Sequence, residues 1–112
     1  MLDLKWSPGE KKVAHAAFEA ALSRERAAIR RDIEAMLHDS DDGTEIWAIR
    51  EYLNDKARDV DQKYDFRYSV LIGVFARLMA EGWLTREDVG GLDLAKQELI
   101  RDHSAVWKRA DA

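Results

Sequence analysis

Residues 7–37, SPGEKKVAHAAFEAALSRERAAIRRDIEAML, decide how the rest of the chain must be arranged. Ser7 is a serine cap, Pro8 stands at the first helical position and Glu10 is the acid of a capping box, so a helix begins at Pro8. After Gly9 neither glycine nor proline interrupts up to about Leu37, and alanine, the best helix former, is abundant. Phe18, Leu22, Ile29, Ile33 and Met36 recur at three-, four- and seven-residue spacing, which places them on one stripe. At 1.5 Å per residue such a helix runs roughly 45 Å, whereas a compact chain of about 100 residues has a radius of gyration near 13 Å. The helix therefore overhangs its own domain. An apolar stripe beyond the domain needs a cover, and a second copy related by a two-fold axis is the simplest one. The expectation is a homodimer with Phe18, Leu22, Ile29, Ile33 and Met36 at its interface.

Working outward, Asp39–Thr44 (DSDDGT) is the one strongly loop-like stretch and ends the first helix. Asp39, Asp41 and Gly43 do not make a calcium loop, because the glycine is one place off and the twelfth position is Arg50. A second helix is expected over about Glu45–Lys63, with Ile46, Ile49, Leu53, Ala57, Val60 and Tyr64 on a core-facing stripe. Asp65 is read as the cap of a third helix running to about Glu81, nearly all apolar from Val70 to Met79, with Gly82 as a left-handed stop. Thr85–Asp88 reads as another capped start, Gly90-Gly91 as a break, and Asp93 as the cap of a last helix. No alternation long enough for a strand was found, nor any internal repeat. The fold class expected is all-α: one domain over 1–112, with a long N-terminal stalk (about 8–63) and a compact C-terminal head (about 66–110).

Composition narrows the function. Charged residues make up 36% and hydrophobic residues 46%, a balance too apolar for disorder and too polar for a membrane span. Met1–Pro8 carries no apolar core of signal-peptide length, so the cytoplasm is the expected compartment. The absence of cysteine excludes disulfides and thiolate chemistry. A net charge of −4 gives no general pull toward nucleic acid. Arg24, Arg26, Arg30 and Arg31 do cluster, but Glu19, Glu25, Asp32 and Glu34 interleave at spacings that allow pairing within the helix.

Catalysis is not expected, and neither is a cofactor or a metal. His15, His38 and His103 are scattered over different elements, and Ser69 lacks the glycine-flanked turn that exposes a nucleophile. The informative anomaly is Trp47, which a 100° step per residue puts roughly 130° from the centre of the second helix's apolar stripe. Its neighbours there are Arg50, Glu51, Asn54 and Arg58, the mixture of indole and charge typical of a binding hot spot. The alternative is that Trp47 packs against the second copy's long helix.

Two stretches carry a family resemblance: Ile46-Trp47 followed by Glu51-Tyr52-Leu53, and residues 60–84, VDQKYDFRYSVLIGVFARLMAEGWL. With Trp6 ahead of the capped helix and Gly91-Leu92 beyond, the pattern spans nearly the whole chain and resembles the fluorescence recovery protein family. That resemblance implies a cofactor-free helical dimer that binds the C-terminal domain of the orange carotenoid protein and speeds its return from the red, quenching form to the orange, resting form. It also implies a functional surface around Trp47, Glu51 and a nearby arginine. The chain departs from the pattern at four places: Glu51 replaces an aspartate, Arg50 a histidine, Ala57 the arginine (with Arg58 one place on), and Gly73 a bulky aromatic. The alternative function is that of a divergent member acting as a dimeric interaction module for a different bacterial partner.

Overall fold

The structure, a computed structural model, describes residues 4–39 and 41–111. Its elements are α1 (Pro8–His38), α2 (Glu45–Lys63), α3 (Leu71–Ala80), a 3-10 turn (Glu87–Val89) and α4 (Leu94–Asp111), with no strand among the described residues. The fold is all-α.

The capping box forms: Ser7 Oγ accepts from the Glu10 N–H at 3.1 Å, and Glu10 Oε1 accepts from the Ser7 N–H at 3.1 Å. α1 then continues for 31 residues without a break. Ala14, Ala17 and Ala21 lie on one side of it and are fully or almost fully buried, letting the head approach the α1 backbone closely. Facing them are Leu71, Phe75 and Leu78 of α3, Leu84, Val89 and Leu92 of the connecting segment, and Ile100 of α4. The core thus joins the first half of α1 to the head, while the rest of α1 and most of α2 project beyond it. The molecule measures 54 × 30 × 22 Å, with a radius of gyration of 16.6 Å, against roughly 13 Å for a compact chain of this length.

The third helix is shorter than the sequence implies. It starts at Leu71, not Asp65: the chain turns at Tyr64 (φ −91, ψ 78), where the Asp65 N–H donates to the Lys63 carbonyl at 3.2 Å, residues 64–67 are non-helical, and a turn follows at 68–70. Asp65 caps nothing: Arg67 donates to it through Nε and Nη2 at 2.6–3.0 Å. Tyr64, Phe66 and Tyr68 alternate with Asp65 and Arg67, and the three rings gather into one aromatic cluster with Phe18. Phe66 meets Phe18 edge-on at 5.0 Å and Tyr68 at 5.4 Å, and it stacks on His15 at 4.3 Å. Ser69 consequently sits in a turn and not in a helix.

The remaining punctuation is as expected. Gly82 has φ +89 and ends α3. Thr85 and Asp88 exchange side-chain-to-backbone hydrogen bonds at the 3-10 turn, and Asp93 Oδ1 accepts from the Lys96 N–H at 2.8 Å to cap α4. Gly91 is needed for close approach, since a Cβ there would stand 2.6 Å from Val13 Cγ2.

Candidate partner-binding site on the second helix

α2 runs back along α1, and its inner side is set by Ile49, Tyr52, Lys56, Asp59, Val60 and Lys63, all wholly or partly buried. Only Lys63 is fully buried, so no apolar residue of α2 reaches a protomer core. The core-facing stripe expected for this helix is therefore divided. Ile49 and Val60 turn partly inward, while Ile46 (56% exposed), Leu53 (40%) and Ala57 lie open. The cause is polar: Tyr52 Oη donates to Asp32, and Lys63 is held by Glu25, which together rotate the inner side away from the greasiest edge. Burial and the Asp32 carboxylate push Tyr52 up to about 12.

Opposite the inner side, at helical phase about 175° away, stand Trp47, Arg50, Glu51, Asn54 and Arg58, all exposed. Trp47 is 66% exposed. Glu51 and Asn54 follow it by about one and two turns, and Arg58 by about three, roughly 16 Å along the axis. Arg58 shares this side and lies 3.8 Å from Asp55, whereas Ala57 belongs to the apolar edge.

The far end of α2 is anchored by a cluster that the sequence did not announce. Lys63 Nζ donates to Glu25 Oε2 at 2.8 Å, Glu81 Oε1 at 2.7 Å and Asp59 Oδ2 at 3.4 Å, with side-chain exposures of 1% for Lys63 and 3% for Glu25. Tyr64 Oη donates to Glu25 Oε1 at 2.8 Å, and Arg77 bridges Asp59 and Glu81. Burial opposes the charge on Lys63, yet its bonds to Glu25 and Glu81 outweigh it and hold the ammonium above the usual lysine value. Glu81 is likewise held below the ordinary carboxylate range, because Lys63 and Arg77 more than offset its burial. This cluster joins α1, α2 and α3, and so fixes how the Trp47-bearing helix leaves the head. In sequence Glu25 looks like a partner for neighbouring arginines; what distinguishes it is its phase, one turn beyond Ala21 on the buried side.

Beside the Trp47 side runs an apolar groove of about 340 Å³ between α1 and α2, lined by Leu22, Ile29, Leu53, Ala57 and Val60, with Arg26 and Lys56 at its lips. Leu22, Ile29, Ile33 and Met36 are half-buried along α1. Phe18 departs from its expected place in a dimer interface. It points into the protomer's own core, edge-on to Tyr64 at 5.4 Å and to Phe66, because the segment after α2 packs against α1 at that turn.

Elsewhere, the arginine cluster of α1 disperses. Arg24 leaves for the head, donating to Asp88 at 2.6 Å and to the Trp83 carbonyl at 2.8 Å, and Arg30 pairs with Glu34. His15 stacks on Phe66 and His103 approaches the Leu99 carbonyl, so the histidines stay apart. Gly73 is exposed, with nothing near the position of an added Cβ. Among the described residues no helix is long and apolar enough to cross a membrane.

An all-helical chain whose stalk carries an exposed indole among charged side chains, beside an uncovered apolar groove, has the build of a protein-interaction module. The family described as photoprotection regulator fluorescence recovery protein matches residues 6–103. Fluorescence recovery protein of Synechocystis sp. is 34% identical over 96 residues, covering 86% of this chain and 88% of that protein. The structure of the Fremyella diplosiphon fluorescence recovery protein superposes with a TM-score of 0.83 at 38% identity, covering 90% of this chain and 99% of that one. The Synechocystis structure gives a TM-score of 0.83 at 33% identity with the same coverage. The chain belongs to the fluorescence recovery protein family of photoprotection regulators.

Proposed function

We propose that the chain is a protein-binding regulator without chemistry of its own, which as a homodimer binds the C-terminal domain of the orange carotenoid protein and accelerates its red-to-orange return. Binding one conformer more tightly than the other is all that a shift in population requires. The observation that carries this reading is Trp47, 66% exposed on the outer side of α2 with Arg50, Glu51, Asn54 and Arg58 around it. Aromatic and arginine side chains dominate binding hot spots, because a large rigid ring anchors a contact that charge-assisted bonds then orient. Family membership supports the partner class.

The dimer rests on the stalk. The apolar edge of α2 and the Leu22–Ile29 groove have no cover within the protomer, and a two-fold-related second copy buries both. Since this edge lies about 90° round α2 from Trp47, the indole falls at the rim of that interface.

Trp47→Ala separates partner binding from assembly. Titrated against the isolated carotenoid-protein C-terminal domain, the variant is expected to bind at least about tenfold more weakly, with its dimeric mass unchanged by light scattering. Unchanged affinity contradicts the assignment, and loss of the dimer assigns Trp47 to the second copy instead. The departures at Arg50, Glu51, Ala57 and Gly73 favour a second reading, a family member serving a different bacterial partner; normal dimers with no measurable affinity for that domain would establish it.

A further inference from the structure

The head carries a surface that shares no residue with the Trp47 side or the stalk groove. Between the end of α3, the 3-10 turn and α4 lie two adjoining recesses of about 190 Å³ and 400 Å³, which have Met79, Arg86 and Arg101 in common. Their apolar floor includes Met79, with Leu84 and Val89 both nearly fully buried. Arg86, Arg101 and Lys108 border them, against the single carboxylate of Glu98. None of the three cations pairs with a carboxylate among the described residues, although the chain as a whole has net charge −4. Arg77 and Lys96, also of the head, are by contrast engaged, Arg77 with Asp59 and Glu81 and Lys96 with Glu10 and Asp93. At the opening of the recess stands Leu94, 74% exposed. The wall beside it is fixed, since Gln97 Nε2 donates to the carbonyls of Leu92 at 2.6 Å and Gly90 at 3.2 Å.

We infer that this groove is a second docking surface, and that it takes an acidic protein segment with a large apolar anchor. The apolar floor asks for the anchor, and the three unpaired cations ask for carboxylates flanking it. Leu94 to Lys108 spans about four turns, roughly 21 Å, the reach of six or seven extended residues. A lone small anion would satisfy the cations and leave the floor and Leu94 uncovered.

The test is selection of random 12-residue peptides on phage against the full chain, followed by fluorescence anisotropy with the peptides selected. The expected peptides carry acids on both sides of one large apolar residue, weaken as salt rises from roughly 50 to 200 mM, and bind Arg86→Glu/Arg101→Glu at least about tenfold more weakly. Both arginines are exposed, so far-UV circular dichroism should be unchanged, and Arg86→Gln/Arg101→Gln should give an intermediate loss. The inference is overturned if no peptide is selected, if those selected show no acidic enrichment, or if they bind the charge-reversed protein equally well. It is equally overturned if Trp47→Ala abolishes their binding, if inorganic phosphate at millimolar level displaces them, or if the reversal instead removes an association between copies of the chain.

Discussion

Lys63 shows how much of the geometry hangs on one side chain. Its ammonium is almost fully enclosed and meets three carboxylates, two of them within 2.8 Å. A buried pair of this kind adds little over an apolar replacement, but removing one partner leaves an uncompensated charge. Lys63→Met is therefore expected to cost about 3–5 kcal/mol by urea denaturation at fixed protein concentration, with Glu25→Leu/Lys63→Met recovering most of it. A single-variant cost below about 1 kcal/mol would mean that water reaches the cluster and it anchors nothing. Trp47 is legible in the sequence because an indole out of phase with an apolar stripe is visible in one dimension. The Glu25–Lys63–Glu81 cluster is invisible there, since its members are 38 and 18 residues apart and each alone reads as an ordinary helix-surface charge.

Between elements, a carboxylate at the start of α1 does two tasks. Glu10 Oε1 completes the α1 capping box, while Glu10 Oε2 accepts from the Asp93 N–H at 3.0 Å and from Lys96 Nζ at 3.1 Å at the start of α4. The Ser7 and Asp93 N–H groups, with Lys96 beside them, lower Glu10 from 4.5 to about 2. Between those values the unfolded chain binds the proton that the folded one refuses. The stability Glu10 contributes is thus complete above 4.5, lost as pH falls, and gone below about 2. Glu10→Gln should flatten this part of the acid limb in pH-dependent denaturation, and an identical limb would contradict the assignment. The starts of α1 and α4 are legible because their caps, Ser7 and Asp93, are local signals, and the DSDDGT loop marks where α2 begins. The start of α3 is not: YDFRY at 64–68 alternates with period two, but only Phe18, His15 and Trp6 waiting on the other side make the non-helical form worthwhile. An acid ahead of an apolar run passes for a helix cap when that packing is unseen.

The whole molecule is a compact head extended by a two-helix stalk. Its 54 Å length follows from the uninterrupted helix in 7–37, which is why the protruding stalk could be read from the first third of the chain. What could not be read is how the apolar stripes divide, since Phe18 belongs to the head and Leu53 to an open groove. That division makes a prediction about assembly. Leu53→Glu sets a charge in the groove without touching the head core, so it should convert a dimer to a folded monomer in sedimentation at micromolar concentration, with helicity retained. A Leu53→Glu protein that remains dimeric would place the interface elsewhere.

The regulation proposed above requires that the Trp47 side of α2 recognise one state of a carotenoid protein. The measurement that bears on it most directly is the recovery of illuminated orange carotenoid protein in the dark, followed by absorbance with and without the full chain. The red form should return to orange faster as the chain is added, and Trp47→Ala should remove most of the acceleration. Recovery at the same rate with and without the chain would contradict the account.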